Sequence, residues 1–183
     1  MNVLMVTIPL RDDAAGFRPL GPLCIIKHLR NEGFGEVDLY DIAHHRPSFE
    51  EAVAKIVAYK PDVLGISAVV STSYDYTKML SVKVREHLPE CLIVMGGNMC
   101  ASAEIILRQT EVDIVVLDDG EIPFLEICRF SKNRKPVHEY SKIKGLVLLG
   151  KDSKLINTGY GDTIPLDKMW AFDFEDIVKA TVL

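Results

Sequence analysis

The chain has 183 residues, with 21 Lys plus Arg against 26 Asp plus Glu and a formal charge of −5. That length suits one domain with an appendage and is short for two full domains. The basic residues are scattered rather than gathered into a stripe, which argues against a nucleic-acid partner, and the apolar runs fall far short of the roughly 20 residues a membrane helix needs.

Met1 leads directly into a strand-like run with no basic leader, so a cytoplasmic protein is expected. Residues Asn2 to Pro9 are β-branched and apolar and predict a first strand broken at Pro9. Leu10 to Pro22, with Asp12, Asp13, Gly16, Pro19 and Gly21, reads as a long loop at the strand's exit. Leu23, Ile26, Leu29 and Arg30 then follow helical spacing up to Gly33. Val37 to Ile42 predicts the second strand, and Ser48 with Glu51 three residues on predicts a capped helix with Val53, Ile56 and Val57 inward.

Asp62 to Val70 predicts the third strand, ending in the hydroxyl-rich corner Ser71-Thr72-Ser73. Tyr76, Met79, Leu80 and Val84 mark the third helix, closed by Pro89. The fourth strand, Leu92 to Gly96, is an uninterrupted apolar run and therefore a buried central strand. A helix through Ile105, Ile106 and Leu107 follows. The fifth strand, Val112 to Leu117, passes through Asp118-Asp119-Gly120-Glu121 into a helix through Phe124, Leu125 and Ile127. Strands alternating with helices at these lengths predict a flavodoxin-like, Rossmann-like α/β fold whose five-stranded parallel sheet has the order 2-1-3-4-5. Lys132 to Lys135 reads as a polar linker. Gly145 to Leu149 and Lys154 to Thr158 predict a C-terminal β-hairpin extension turning through Gly150 to Ser153. The expected division is therefore 1–131 and 132–183, the second part holding the hairpin and an aromatic tail with Trp170, Phe172 and Phe174.

In an open α/β sheet, ligands sit outside the carboxyl ends of the strands, and residues without a Cβ there let a ligand approach the backbone. Gly96-Gly97-Asn98 lies at that edge, although paired glycines also serve tight strand-to-helix turns. Neither G-x-G-x-x-G nor G-x-x-x-x-G-K-[ST] is present, so dinucleotide and P-loop readings fail. Cys24, Cys91, Cys100 and Cys128 form no C-x-x-C pair and read as buried apolar thiols. Ser71, Thr72 and Ser73 read equally as helix caps, Asn98 as a donor or a cap, and Glu121 as a ligand group or a first-turn acid favoured by the helix dipole.

Ser67-Ala68-Val69 precedes Gly96-Gly97 by 26 intervening residues, and the spacing resembles the S-x-L and G-G elements of cobalamin-binding domains. Leu20-Gly21-Pro22-Leu23, Pro61 to Ser67, Gly96-Gly97, and Val112-Asp113 through Gly120-Glu121-Ile122-Pro123-Phe124 follow in order. Together they resemble the amino-terminal domain of cobalamin-dependent radical S-adenosylmethionine enzymes. The resemblance implies cobalamin as cofactor, with Arg18, Leu20, Gly21, Ser67, Val69, Ser71, Thr72, Gly96, Gly97, Asn98, Gly120 and Glu121 as its binding residues. It also implies a radical S-adenosylmethionine catalytic domain as partner, in cis or in trans, carrying the [4Fe–4S] cluster and S-adenosylmethionine, and methyl transfer as the reaction. No C-x-x-x-C-x-x-C and no D-x-H-x-x-G element is present, so cobalt is expected to lack a histidine lower ligand. Asp12-Asp13 keeps a receiver-like signalling or interaction domain as the alternative. On the resemblance, replacing Gly97 with leucine is expected to block the cofactor's tail slot while leaving the sheet folded.

Overall fold

A computed structural model describes residues 1–10, 18–132, 136–165 and 175. Seven strands form one sheet in the order β2-β1-β3-β4-β5-β6-β7. The strands are β1 (Val3–Thr7), β2 (Val37–Tyr40), β3 (Val63–Ser67), β4 (Leu92–Gly96), β5 (Ile114–Val116), β6 (Leu146–Leu149) and β7 (Leu155–Asn157). The first five are parallel, as the alternation predicts, and β6 then joins β5 antiparallel with Leu148 opposite Ile114. The hairpin thus continues the same sheet. Its strand β6 is buried at Leu146, Val147 and Leu148.

Helices cover both faces: α1 (Leu20–Asn31), α2 (Ile42–His45), α3 (Phe49–Tyr59), α4 (Tyr74–His87), α5 (Ala103–Gln109) and α6 (Glu121–Ser131). Strand residues accordingly split by parity into two cores. Leu4, Val6, Leu64, Ile66, Ile93 and Met95 pack with α3, α4 and α5. Val3, Met5, Val63, Val94, Ile114 and Val116 pack with α1 and α6. Double coverage explains why the central strands read as continuous apolar runs.

Ser48 caps α3 in a reciprocal capping box with Glu51, its hydroxyl accepting the Glu51 N–H at 3.2 Å while the Glu51 carboxylate accepts the Ser48 N–H at 2.9 Å. Several expectations need correcting. Helix α1 begins at Leu20, three residues before the predicted start, because Pro22 falls in its first turn, where a missing N–H costs nothing. Ile42 opens α2 instead of ending β2; Asp41 caps that short helix, accepting the His44 N–H at 3.1 Å. Met79 and Ile105 are exposed, and the inward face of α4 is Thr77, Leu80, Ser81 and Val84. Cys91 and Cys128 are buried as expected, but Cys24 and Cys100 are half-buried. The tail aromatics Trp170, Phe172 and Phe174 lie outside the described residues, as do most of the predicted loop before Arg18 and most of the linker.

The opposite ends of β4 and β5 are bolted by Arg85. Its guanidinium donates to the carbonyls of Pro89, Cys91 and Glu111 and to the Asp113 carboxylate at 2.7 Å, which also accepts the Ile93 N–H at 2.8 Å. Burial raises the Asp113 carboxyl above its ordinary value, against the bonds from Ile93 and Arg85 that lower it.

Candidate functional site

The carboxyl edge of the sheet holds a slot of about 150 Å³ on its α1/α6 face, lined by fourteen residues. Two rows across the sheet build it. In the inner row Met5 pairs with Gly65 and Gly65 with Val94; two residues further along, Ser67 and its partner Gly96 form the rim. Gly65 deepens the floor, since a Cβ there would overlap the Met5 sulfur and meet Phe124 Cε2 at 3.0 Å. An isolated glycine within a strand signals such close approach, and that signal in Asp62 to Val70 would have found this part of the slot. The helices supply Gly21, Pro22 and Ile25 from α1 and Phe124 from α6, with Asp118 and Gly120 from the turn between β5 and α6.

The two glycines after β4 differ in what they do. Gly97 has φ +91°, and a Cβ on it would lie 2.5 Å from the Ala68 carbonyl oxygen, which already accepts the Met99 N–H at 3.2 Å. It is a backbone requirement. Gly96 has no such φ, and a Cβ built on it meets nothing within 4 Å; the same holds for Gly21 in α1. Those two are open space facing the slot. The expectation that Gly97→Leu spares the fold therefore fails, because the substitution forces both an unfavourable φ and a backbone overlap.

Of the twelve residues expected at the site, Gly21, Ser67, Gly96, Gly97 and Gly120 meet in the slot. Val69, Ser71 and Asn98 line a second depression of about 400 Å³ around Tyr74, Met99 and Ile105, at the same edge. Leu20 is exposed at the start of α1, beside Gly21, and Arg18 is exposed just ahead of it. Thr72 is otherwise engaged, its hydroxyl donating to the Leu10 carbonyl at 2.6 Å, while the Ser73 hydroxyl donates to the Pro9 carbonyl at 3.4 Å. These bonds hold the exit of β1 against the turn Ser71–Ser73, and no side chain of that corner caps α4. Asn98 opens a 3₁₀ turn, Asn98–Ser102, without capping it. Glu121 opens α6 and stands near the Cys24 thiol, whose pKa is raised by burial first and by that carboxylate second.

Chemically the slot has two zones. Its walls are Met5, Ile25, Val94, Val116 and Phe124. Its rim is polar, with Ser67, Asp118 and the first turns of α1 and α6, whose opening N–H groups have no partner within their own helices. Such an edge can take an apolar, flat group inward and a polyhydroxylated or phosphorylated group outside it. A larger cavity, about 540 Å³, lies instead at the opposite strand ends around Arg85, Asp113 and Tyr140. The Arg85 and Asp113 charges there are paired with each other, which reads as a structural clamp.

Among the described residues no group of three or more His, Cys, Asp or Glu could hold a metal ion, and no helix is long and apolar enough to cross a membrane. His44 is exposed and His45 half-buried beyond β2, the edge strand. His28 is buried in α1, with neither ring nitrogen partnered.

The chain is 30% identical over 122 residues to an uncharacterized methyltransferase of Pyrococcus horikoshii, a match covering 64% of this chain and 26% of that protein. It is 20% identical over 147 residues to the anaerobic magnesium-protoporphyrin IX monomethyl ester cyclase of Rubrivivax gelatinosus, covering 79% and 26%. It therefore spans about a quarter of the length of these curated relatives. Two solved structures share its fold. The cobalamin-dependent S-adenosylmethionine radical enzyme OxsB with aqua-cobalamin bound superposes with a TM-score of 0.79 at 14% identity, over 98% of this chain and 25% of that one. The radical S-adenosylmethionine methyltransferase TsrM of Kitasatospora setae, with cobalamin and a [4Fe–4S] cluster bound, gives 0.73 at 17% identity over 93% and 31%. Residues 14–128, which contain every part of the slot except Met5, match the family model of the B12 binding domain, and the chain belongs to that family.

Proposed function

We propose that this chain is the cobalamin-binding module of a radical S-adenosylmethionine enzyme, a methyltransferase, and that it holds the corrinoid at the β3/β4 edge with its nucleotide tail in the slot. One observation carries the reading. An apolar slot with a glycine rim opens at the carboxyl edge beside Ser67, whose hydroxyl makes no hydrogen bond among the described residues, and all of its lining except Met5 lies within the residues that match the B12 binding domain. The residues fit the group: Gly21 and Gly96 leave the tail's path open, and Ser67 offers a donor and an acceptor to it. The N–H groups left for a phosphodiester are that of Gly21 in α1, where the Leu20 N–H already donates to the Arg18 carbonyl and Pro22 has none, and those of Glu121 and Ile122 in α6. Val69, Ser71 and Asn98 form a shelf beside the slot for the corrin's periphery. When bound, cobalamin supplies a cobalt able to accept and pass on a methyl group.

In this reading cobalt has no protein imidazole below it. His28 is enclosed in α1, and His44 and His45 follow the edge strand β2, separated from β3 by β1. The [4Fe–4S] cluster and S-adenosylmethionine belong to a catalytic domain in cis or in trans, consistent with relatives about four times as long. Residues 1–131 make the binding unit, and 132–183 serve as the connector toward that domain.

Titration of the folded chain with hydroxocobalamin, followed by absorbance, tests the reading; saturable binding is expected, and no binding overturns it. Electron paramagnetic resonance of the bound cob(II)alamin form is expected to lack nitrogen superhyperfine splitting. Splitting would overturn the absent lower ligand.

A further inference from the structure

We infer that the slot selects corrinoids by the chemistry of the tail base, accepting benzimidazole or phenol tails and disfavouring purines; this rests on the cobalamin reading above. Natural corrinoids share the corrin ring and differ in the base at the end of the nucleotide loop. A benzimidazole is apolar around most of its perimeter. An adenine carries ring acceptors and an exocyclic amine that all need partners once water is removed.

Among the described residues the walls offer none. Met5, Ile25, Val94, Val116 and Phe124 present carbon and one thioether sulfur, a weak acceptor at best, while the Ile66 side chain packs on the other face of the sheet. The strand backbone is also spent. Gly65 lies in register between Met5 and Val94, so its amide and carbonyl belong to the ladders with β1 and β4. The polar side chains of the lining are Ser67, in the rim row of the sheet, and Asp118, which follows the end of β5 in the left-handed region with φ +54° and is exposed. Both stand where the ribose and phosphate would pass. The volume, about 150 Å³, is that of a cavity which admits a single aromatic ring. A base seated against these walls displaces the water from them, so waters are poor substitutes for the missing partners. A purine in the slot leaves several polar atoms unpaired, and at least about a tenfold loss of affinity follows even if only one of them stays so.

The test compares the 183-residue chain's affinity for four corrinoids: one with a dimethylbenzimidazole tail, one with a phenol-derived tail, one with an adenine tail, and cobinamide, which has no base. Each affinity is corrected for the fraction of ligand whose tail is free of cobalt, read from its own absorbance spectrum, so that the strength of the cobalt–base bond does not enter the ranking. The benzimidazole and phenol forms are expected to bind more tightly than cobinamide, and the adenine form at least about tenfold more weakly than either. Adenine and phenol forms of equal affinity, both above cobinamide, would overturn the selection while leaving the tail in the slot. All four equal would overturn the selection together with the tail placement, and no binding by folded protein would overturn it together with the cobalamin reading.

Discussion

Replacing Gly96 with leucine separates the slot from the fold. Gly96 ends β4 opposite Ser67, its φ lies outside the left-handed region, and a Cβ on it meets no atom within 4 Å. Leucine there strains no backbone. Its isobutyl group points into a slot of about 150 Å³ whose walls are apolar, so most of the space for a base is filled by carbon. Burying that group against Val94, Val116 and Phe124 contributes at most about 1.5–3 kcal/mol, less whatever part of it the open rim leaves in water. At roughly 2–4 °C per kcal/mol for a chain of this size, the apo melting temperature is expected to hold or rise by a few degrees. Cobalamin binding, in contrast, is expected to fall by at least about a hundredfold, because the bulk fills the tail's place in a close-packed site that cannot expand cheaply. Gly97→Ala is the companion. Its φ of +91° and a Cβ 2.5 Å from the Ala68 oxygen predict a loss of at least about 1–2 kcal/mol of stability. Differential scanning calorimetry of both apo variants and hydroxocobalamin titration of each decide the matter. Retained binding within twofold in Gly96→Leu, or a Gly96→Leu less stable than Gly97→Ala, would refute the division of labour between the glycines.

Gly21→Ala is expected to stabilise the apo chain by up to about 0.5–1 kcal/mol, as alanine is the better helix former, while weakening cobalamin binding; unchanged affinity would take α1 out of the site. His28→Leu is expected to stabilise by about 1–2 kcal/mol in urea unfolding, because two buried ring nitrogens without partners are removed, and destabilisation would contradict the absence of partners. Arg85→Met takes the guanidinium from the half-buried Asp113 carboxylate and from three carbonyls and is expected to cost about 2–4 kcal/mol, with cobalamin affinity unchanged in the folded fraction; a cost below about 1 kcal/mol would show the clamp to be dispensable. Burial pushes the Cys91 and Cys128 thiols up to about 12, so the folded state holds these protons more tightly than the unfolded chain. Their contribution is full below about pH 8.5 and is lost as pH rises toward 12, at about 1.4 kcal/mol per thiol per pH unit, and a urea midpoint flat from pH 8.5 to 10.5 would refute it.

The sheet order was legible because alternating strands and helices of these lengths leave few topologies, and the doubly covered strands Leu92 to Gly96 and Asp62 to Val70 carry no polar face that would have spoken for an edge. Ser48 and Glu51 were legible for a local reason, since a capping box is complete within four residues. What escaped depends on distant partners. Nothing inside Gly145 to Thr158 says that the hairpin docks on β5, because that choice is made by Ile114 and Val116 thirty residues earlier. Thr72 reads as a helix cap or a cofactor-binding residue until the Leu10 carbonyl is found beside it, 62 residues away in sequence.

The candidate site divides along the same line. The edge was legible, since strand ends and glycines mark it; the depth of the slot was not, since it needs Met5, Gly65, Val94, Ile25 and Phe124 from five separate elements. Gly96 and Gly97 make the point most sharply. As letters they are identical neighbours, yet one is held by its dihedral angle and by the Ala68 carbonyl, and the other by nothing among the described residues. In a strand a glycine costs roughly 0.5–1 kcal/mol relative to alanine, and packing does not explain why Gly96 bears that cost. In the proposed reading a group from outside the chain does: the missing side chain at Gly96 is space that a tail base would occupy, and it is there, rather than at the strained Gly97, that substitution probes function without first probing the fold.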